Sequence, residues 1–153
     1  MNRIYPLLIC LFLIALGNSC NNISAGSYPY AQRYRLKIKE KDLIEVIKKF
    51  KYDNPDYCVP EEVNLIDGRR NEKELWYHIY FYYKDENILV NTWIRQKDQE
   101  YTTFAFVALN EGLTLGNWKD VNNDFTNEEN ERVKEIFEQR ILNKINAIIK
   151  NDF

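Results

Sequence analysis

Few side chains in this sequence can perform covalent chemistry, and their positions limit the reactions that are open to it. Serine occurs only at positions 19, 24 and 27, which excludes a Ser-His-Asp triad in the remainder of the chain. His78 is the sole histidine, and Cys58 is the one cysteine after position 20. A thiolate beside an imidazole can act as a nucleophile, so these two residues are the one candidate catalytic pair. The alternative is a structural thiol and a strand histidine packed on Trp93, and we expect no catalytic residue and no enzymatic activity.

One segment has side chains at the spacing of metal ligands. Asp120, Asn122 and Asp124 match the first, third and fifth ligands of an EF-hand loop, and Glu131 falls at the twelfth position. The sixth position holds Phe125, which resists the positive φ that glycine provides there. The alternative is an Asx-rich turn before a helix. Cys58 and His78 show no zinc-ligand spacing, and we expect neither a metal nor a cofactor.

Composition excludes two further classes of function. The 153 residues include 21 Lys and Arg against 23 Asp and Glu, a net charge of -2, whereas nucleic-acid-binding proteins usually carry a basic excess. The five glycines are scattered, so no phosphate-binding loop is present in the sequence. With 45% hydrophobic and 29% charged residues, the chain is typical of one folded domain rather than a disordered tail. We therefore expect no nucleic-acid partner.

The N-terminus has the three-part order of a secretory signal peptide. Asn2 and Arg3 give a positive start, residues 4–16 form an apolar run, and the small or polar residues 17–19 follow. The apolar run is shorter than the roughly 20 residues that a membrane-spanning helix needs. Cys20 stands directly after this segment. We expect residues 1–19 to be removed as a signal peptide.

In these first twenty residues the sequence resembles bacterial lipoproteins that are cut by signal peptidase II. The resemblance is carried by the apolar run and by Gly17, Asn18 and Ser19 before Cys20. It implies that Cys20 becomes the acylated first residue, with palmitate or a similar chain. It also implies a cell-envelope location, with the protein attached to a membrane and facing the periplasm or the cell exterior. The alternative is plain secretion, because Gly17 and Ser19 also satisfy the small-x-small rule of the ordinary signal peptidase.

Cysteine pairing separates these two alternatives. If Cys20 carries lipid, Cys58 is the only remaining thiol and no internal disulfide can form. If Cys20 does not carry lipid, a disulfide between Cys20 and Cys58 is possible. Removal of Arg3 with the signal leaves 20 basic side chains against 23 acidic ones. We interpret residues 20–33 as the lipidated cysteine and a flexible tether, and residues 34–153 as a single domain.

Hydrophobic patterning predicts an α+β fold with two layers. Residues 34–39 alternate as a short edge strand, and residues 41–52 carry an apolar stripe at helical spacing. Three runs rich in aromatic and β-branched residues then predict a three-stranded antiparallel meander, at 74–84, 88–95 and 101–109. Thr126 and Glu129 form a capping box for a second helix that extends to about residue 150. The predicted order is (β)αβββα, with helices on one face of the sheet.

Pairing Lys84 with Asn87 predicts which side chains share a face. One face, the core face, is almost wholly apolar, and its third strand is expected to contribute Thr102, Phe104, Phe106 and Ala108. The opposite face, which we name the aromatic face, carries Trp76, His78, Tyr80 and Tyr82 opposite Arg95, Trp93, Asn91 and Leu89, joined by Tyr101, Thr103, Ala105 and Val107.

The aromatic face is the candidate binding surface. Trp, Tyr and Arg dominate protein–protein hot spots, which leads us to expect contact with a protein partner through Trp76, His78, Tyr80, Trp93, Arg95 and Tyr101. An immunity-type protein or a subunit of an envelope complex fits this pattern, and a binder of small ligands or carbohydrate is the alternative. A further alternative is that the C-terminal helix or the loop at 110–125 covers this face, so that its rings are core residues.

Overall fold

The computed structural model describes residues 28–152, so the signal peptide and Cys20 lie outside the described residues. The predicted α+β architecture is confirmed. Among residues 28–152, no helix is both long and apolar enough to cross a membrane. The strands are β1 (Gln32–Leu36), β2 (Tyr77–Tyr83), β3 (Ile88–Gln96), β4 (Thr102–Glu111) and β5 (Trp118–Asp120), and the helices are α1 (Glu40–Asp53), α2 (Asn127–Phe137) and α3 (Asn143–Asp152).

The strands form one antiparallel sheet in the order β1-β4-β3-β2. The short strand β5, which the sequence pattern did not predict, pairs with the far end of β4, beyond β1. Tyr77 pairs with Ile94 and Tyr83 pairs with Ile88, so the predicted register of the first hairpin is confirmed. The N-terminal edge strand is therefore paired to the middle of the sheet, which places its side chains beside those of β4.

A β-bulge divides β4 into two halves. Thr92 pairs with Phe106, but its neighbour Asn91 pairs with Ala108, which leaves Val107 as the extra residue. Beyond the bulge the alternation is reversed: Leu109 packs against the core under the helices, and Ala108 packs on the aromatic face. The prediction that Ala108 belongs to the core face is wrong, because a one-residue shift moves every later side chain to the other face.

The helices cover the core face, as predicted. Leu43 and Phe50 of α1 and Phe137 of α2 are fully buried in one cluster with the sheet. The rings of Phe137 and Phe106 stack at 4.6 Å with an interplanar angle of 10°. This stacking joins the C-terminal helices to the central strand, so the core forms between elements that are distant in sequence.

The C-terminal helix is interrupted where the sequence predicted one continuous helix. Its start is as expected, with the Thr126 and Glu129 side chains forming a capping box. Between α2 and α3, however, Glu138–Leu142 forms a π-helical turn. Such a turn accommodates about one extra residue and shifts the phase of the following helix. Ile141 and Leu142 are both buried in this turn.

Candidate functional site

Irregular segments cover much of the aromatic face, and the C-terminal helices lie on the opposite side of the sheet. Val59, Leu65 and Leu113 pack over one part of it, around Tyr82 and Leu89. The loop at 110–125 thus contributes to the cover, as one alternative expected, but α2 and α3 do not. His78, Tyr80 and Trp93 are consequently only 1%, 7% and 4% exposed. These three predicted partner-binding residues are part of the packed interior, which corrects the expectation of one open surface of six residues.

The segment before β1 covers the other part of the aromatic face. We name residues 28–31 the lead-in segment. The Tyr28 ring lies 5.7 Å from the ring of Trp76 and 6.0 Å from that of Trp93, and burial raises the pKa of its hydroxyl. Asn122 donates a hydrogen bond to the Tyr30 carbonyl at 2.8 Å. Residues 28–33, which we assigned to the tether, therefore belong to the packed structure.

A cleft remains at the end of the aromatic face, beside the lead-in segment. It has a volume of about 410 Å³. Trp76, Trp93 and Arg95, three of the six predicted partner-binding residues, line it. Tyr101 lies next to it, with the Arg35 guanidinium 3.7 Å from the centre of its ring. The other lining residues are Tyr28, Arg33, Tyr34, Arg35, Gln96, Lys97 and Thr103.

Sheet register explains why these side chains meet. Thr103 of β4 pairs with Arg35 of β1 on one side and with Arg95 of β3 on the other. Adjacent strands are about 4.8 Å apart, so the two arginines begin about 10 Å from each other. The short threonine between them leaves a depression, and the long cationic side chains form its walls.

The cleft has a strongly positive lining. Its charged residues are Arg33, Arg35, Arg95 and Lys97, and none of its lining residues is Asp or Glu. Arg35 pairs with Asp98 at 3.4 Å, but both side chains are about half exposed, and such pairs contribute little. Arg95 lies over the Trp76 ring at 5.9 Å. Within residues 28–152, no carboxylate is ion-paired with Arg33, Arg95 or Lys97.

A partly buried polar pair lies beside Tyr28, one of the residues that line the cleft. His78 Nε2 and Glu74 Oε1 are 2.7 Å apart, and Glu74 also accepts a hydrogen bond from the Arg70 amide at 2.6 Å. Burial opposes ionisation of Glu74, but the hydrogen bonds from His78 and Arg70 outweigh it, and the pKa of Glu74 is lowered.

The indole N–H of Trp93 is buried and has no hydrogen-bond acceptor among the described residues. This donor is notable because buried polar groups are nearly always paired.

The candidate catalytic pair is not brought together. Cys58 is exposed, and its thiol lies 3.6 Å from the carbonyl oxygen of Lys51. The imidazole of His78 is instead bound to Glu74. The two side chains therefore have different partners, and the thiol has no imidazole base in this arrangement.

The segment with metal-ligand spacing forms a turn before α2. Asp124 accepts a hydrogen bond from the Asp120 amide at 2.7 Å, and Glu131 is paired with Lys134 at 2.6 Å. Burial and the neighbouring carboxylate of Asp124 raise the pKa of Asp120. Across residues 28–152, no three His, Cys, Asp or Glu side chains are grouped as metal ligands. The geometry is that of the Asx-rich turn.

Sequence patterning missed part of the cleft. Arg35 lies within the predicted edge strand at 34–39, but neither it nor Arg33, Lys97 or Tyr28 was predicted to belong to a site. The alternation of cationic and apolar residues in β1 was a usable signal. This alternation indicates the cleft only when the pairing of β1 with β4 is known, and that pairing joins residues about 70 positions apart.

Comparisons with other proteins add no relative from which a function can be inferred. The chain matches no protein-family model, and no curated protein or solved structure matches it.

Proposed function

We propose that this chain is a membrane-anchored lipoprotein of the cell envelope whose folded head is a non-enzymatic binding domain for a protein partner. The observation that carries the proposal is the cleft at the end of the aromatic face. It combines tryptophan, tyrosine and arginine side chains, the residue types enriched in the energetic centres of protein interfaces. An immunity-type protein or a subunit of an envelope complex remains the expected class.

The anchor part of the proposal rests on the N-terminal sequence. Tyr28 lies on the cleft and is eight positions after Cys20. Eight extended residues span at most about 28 Å, so acylation of Cys20 would hold the head close to the membrane. A lipid anchor keeps a protein at one surface and raises the local concentration of both partners there.

Two measurements test the proposal. Mass spectrometry of the native mature protein is expected to show fatty acyl chains on an N-terminal Cys20, and an unmodified N-terminus would refute the anchor. Affinity capture from envelope fractions is expected to return a partner that Trp76→Ala and Arg95→Ala lose. Tyr52→Ala is the matched control, because Tyr52 is 88% exposed on α1 and lies outside the cleft. Equal capture by all three variants would refute partner binding at the cleft.

The concave shape favours a second candidate function, binding of a small ligand or carbohydrate. A volume of about 410 Å³ lies within the range of small-molecule sites. Rings of Trp76 and Tyr28 at the wall could stack against a sugar. Titration of the protein with a panel of glycans, followed by tryptophan fluorescence, distinguishes this function, because saturable quenching requires a ligand near Trp76 or Trp93.

A further inference from the structure

We propose that the cleft recognises an acidic segment of the partner protein, with carboxylate side chains held by Arg33, Arg35 and Arg95. This inference rests on the proposed function, since it names the chemistry of the partner surface. Binding of a partner through the aromatic rings alone would satisfy the proposed function but not this inference.

Charge segregation is the first support. The mature chain carries more acidic than basic side chains, 23 against 20, yet the charged residues lining the cleft are all cationic. A concave surface of one sign attracts the opposite charge and raises its local concentration. The occupant that this surface complements is an anion.

The type of cation is the second support. Three of the four cationic side chains are arginines, whose planar guanidinium can donate two parallel hydrogen bonds to a carboxylate. Arg33 and Arg35 are two positions apart on β1, so their side chains leave the same face about 6.6 Å from each other. Alternate side chains of an extended peptide have the same spacing. Two carboxylates on one extended segment can therefore meet two arginines.

Apolar and polar groups inside the cleft favour a protein over a lipid surface. The rings of Tyr28, Trp76 and Trp93 lie within 6.4 Å of one another and form an apolar wall beside the arginines. A flat bilayer surface cannot enter a concave cleft, whereas a protruding peptide segment can bury apolar area against this wall while its carboxylates meet the arginines.

The test uses the mature chain from residue 20 with Cys20→Ser, so that no lipid contributes. The probe is a fluorescent, acetylated octapeptide in which glutamate alternates with threonine. Fluorescence anisotropy is expected to show saturable binding that weakens at least about fivefold when salt is raised from about 50 to about 300 mM. The same peptide with glutamine in place of glutamate is expected not to bind.

Substitutions in the cleft supply the decisive comparison. Arg35→Gln and Arg95→Gln are each expected to weaken binding of the glutamate peptide about three- to tenfold, and the double variant more strongly. Arg132→Gln is the matched control, since Arg132 is an exposed arginine on α2 outside the cleft, and binding is expected to be unchanged. The exposed arginine variants are expected to keep the melting temperature of the parent.

Three results would overturn the inference. The first is that the glutamate peptide does not bind at about 50 mM salt. The second is that Arg132→Gln weakens peptide binding as much as the cleft substitutions do. The third is that the protein binds phosphatidylglycerol vesicles in preference to the peptide, and that this binding depends on Arg35 and Arg95. The last result would assign the cleft to the membrane surface. After either of the first two results, capture of a partner that depends on Trp76 would still support the proposed function, so failure of this inference and failure of the proposed function are distinguishable.

Discussion

The Nε2 atom of His78 lies 2.7 Å from Oε1 of Glu74, and His78 is 1% exposed. The pair joins β2 to the segment before it, while Tyr28 of the lead-in segment packs its ring 6.0 Å from the imidazole. The only histidine of the chain thus supports the aromatic face from within. The hydrogen bond to Glu74 accounts for the position of the imidazole.

Acid should weaken this pair. Because the pKa of Glu74 is lowered in the folded state, its contribution to stability is present above the ordinary glutamate pKa and is lost as the pH falls through the folded-state value. We expect Glu74→Gln to lower the free energy of unfolding at neutral pH and to differ less from the parent near pH 3. Urea unfolding at several pH values measures this. A difference that stays constant with pH would contradict the expectation.

Phe137→Ala should be strongly destabilising. Its ring is fully buried and stacked on Phe106, and removal of such a ring leaves a cavity between α2 and the sheet. We expect a loss of about 3–5 kcal/mol in the free energy of unfolding, measured by urea denaturation. Phe125→Ala, the same change at a half-buried site, serves as the control and should cost clearly less. Equal losses at the two sites would refute the packing.

Thr126→Ala tests the start of α2. The Thr126 hydroxyl accepts a hydrogen bond from the Glu129 amide, and the Glu129 carboxylate accepts one from the Thr126 amide at 3.0 Å. Loss of the cap is expected to cost about 1 kcal/mol, measured by thermal or urea unfolding. The control is Thr114→Ala in an exposed loop, which is expected to have no comparable effect. If both variants matched the parent, the capping box would contribute nothing measurable.

Thiol counting tests the state of both cysteines. Cys58 is exposed and free within the described residues, so a chromogenic disulfide reagent should react with one thiol per folded native molecule. Acylation of Cys20 leaves this one thiol, whereas a Cys20–Cys58 bridge leaves none. The Cys58→Ala variant of the native protein is the control and is expected to show no reactive thiol. Zero reactive thiols in the unsubstituted protein would favour secretion with a disulfide.

Tyr28→Ala tests the lead-in segment as a cover of the aromatic face. Its ring contacts those of Trp76 and Trp93, so its removal should admit water to both indoles. We expect a red shift of the tryptophan emission and stronger quenching by iodide. Tyr30→Ala is the matched control, because Tyr30 is 46% exposed and accepts the hydrogen bond from Asn122 through its backbone carbonyl, which the substitution retains. An unchanged spectrum of Tyr28→Ala would show that the cover is not made by this side chain.

Sequence alone determined the α+β class, the meander, the register of its first hairpin and the capped start of α2. These features depend on local patterns, namely the alternation of side chains in strands, the helical stripe and the Thr126–Glu129 spacing. The aromatic face was also predicted, with Trp76, Trp93 and Arg95 on one side of the sheet. Local periodicity suffices for such features because each is set by neighbours within a few residues.

Tertiary structure decided how that face is used. The bulge at Val107 reversed the second half of β4, and the lead-in segment and the loops buried His78, Tyr80 and Trp93. The cleft arose because β1 pairs with β4 and brings Arg33 and Arg35 near Arg95. Contacts between residues about 70 positions apart leave no trace in local periodicity, since they depend on which surfaces pack best once all elements have formed.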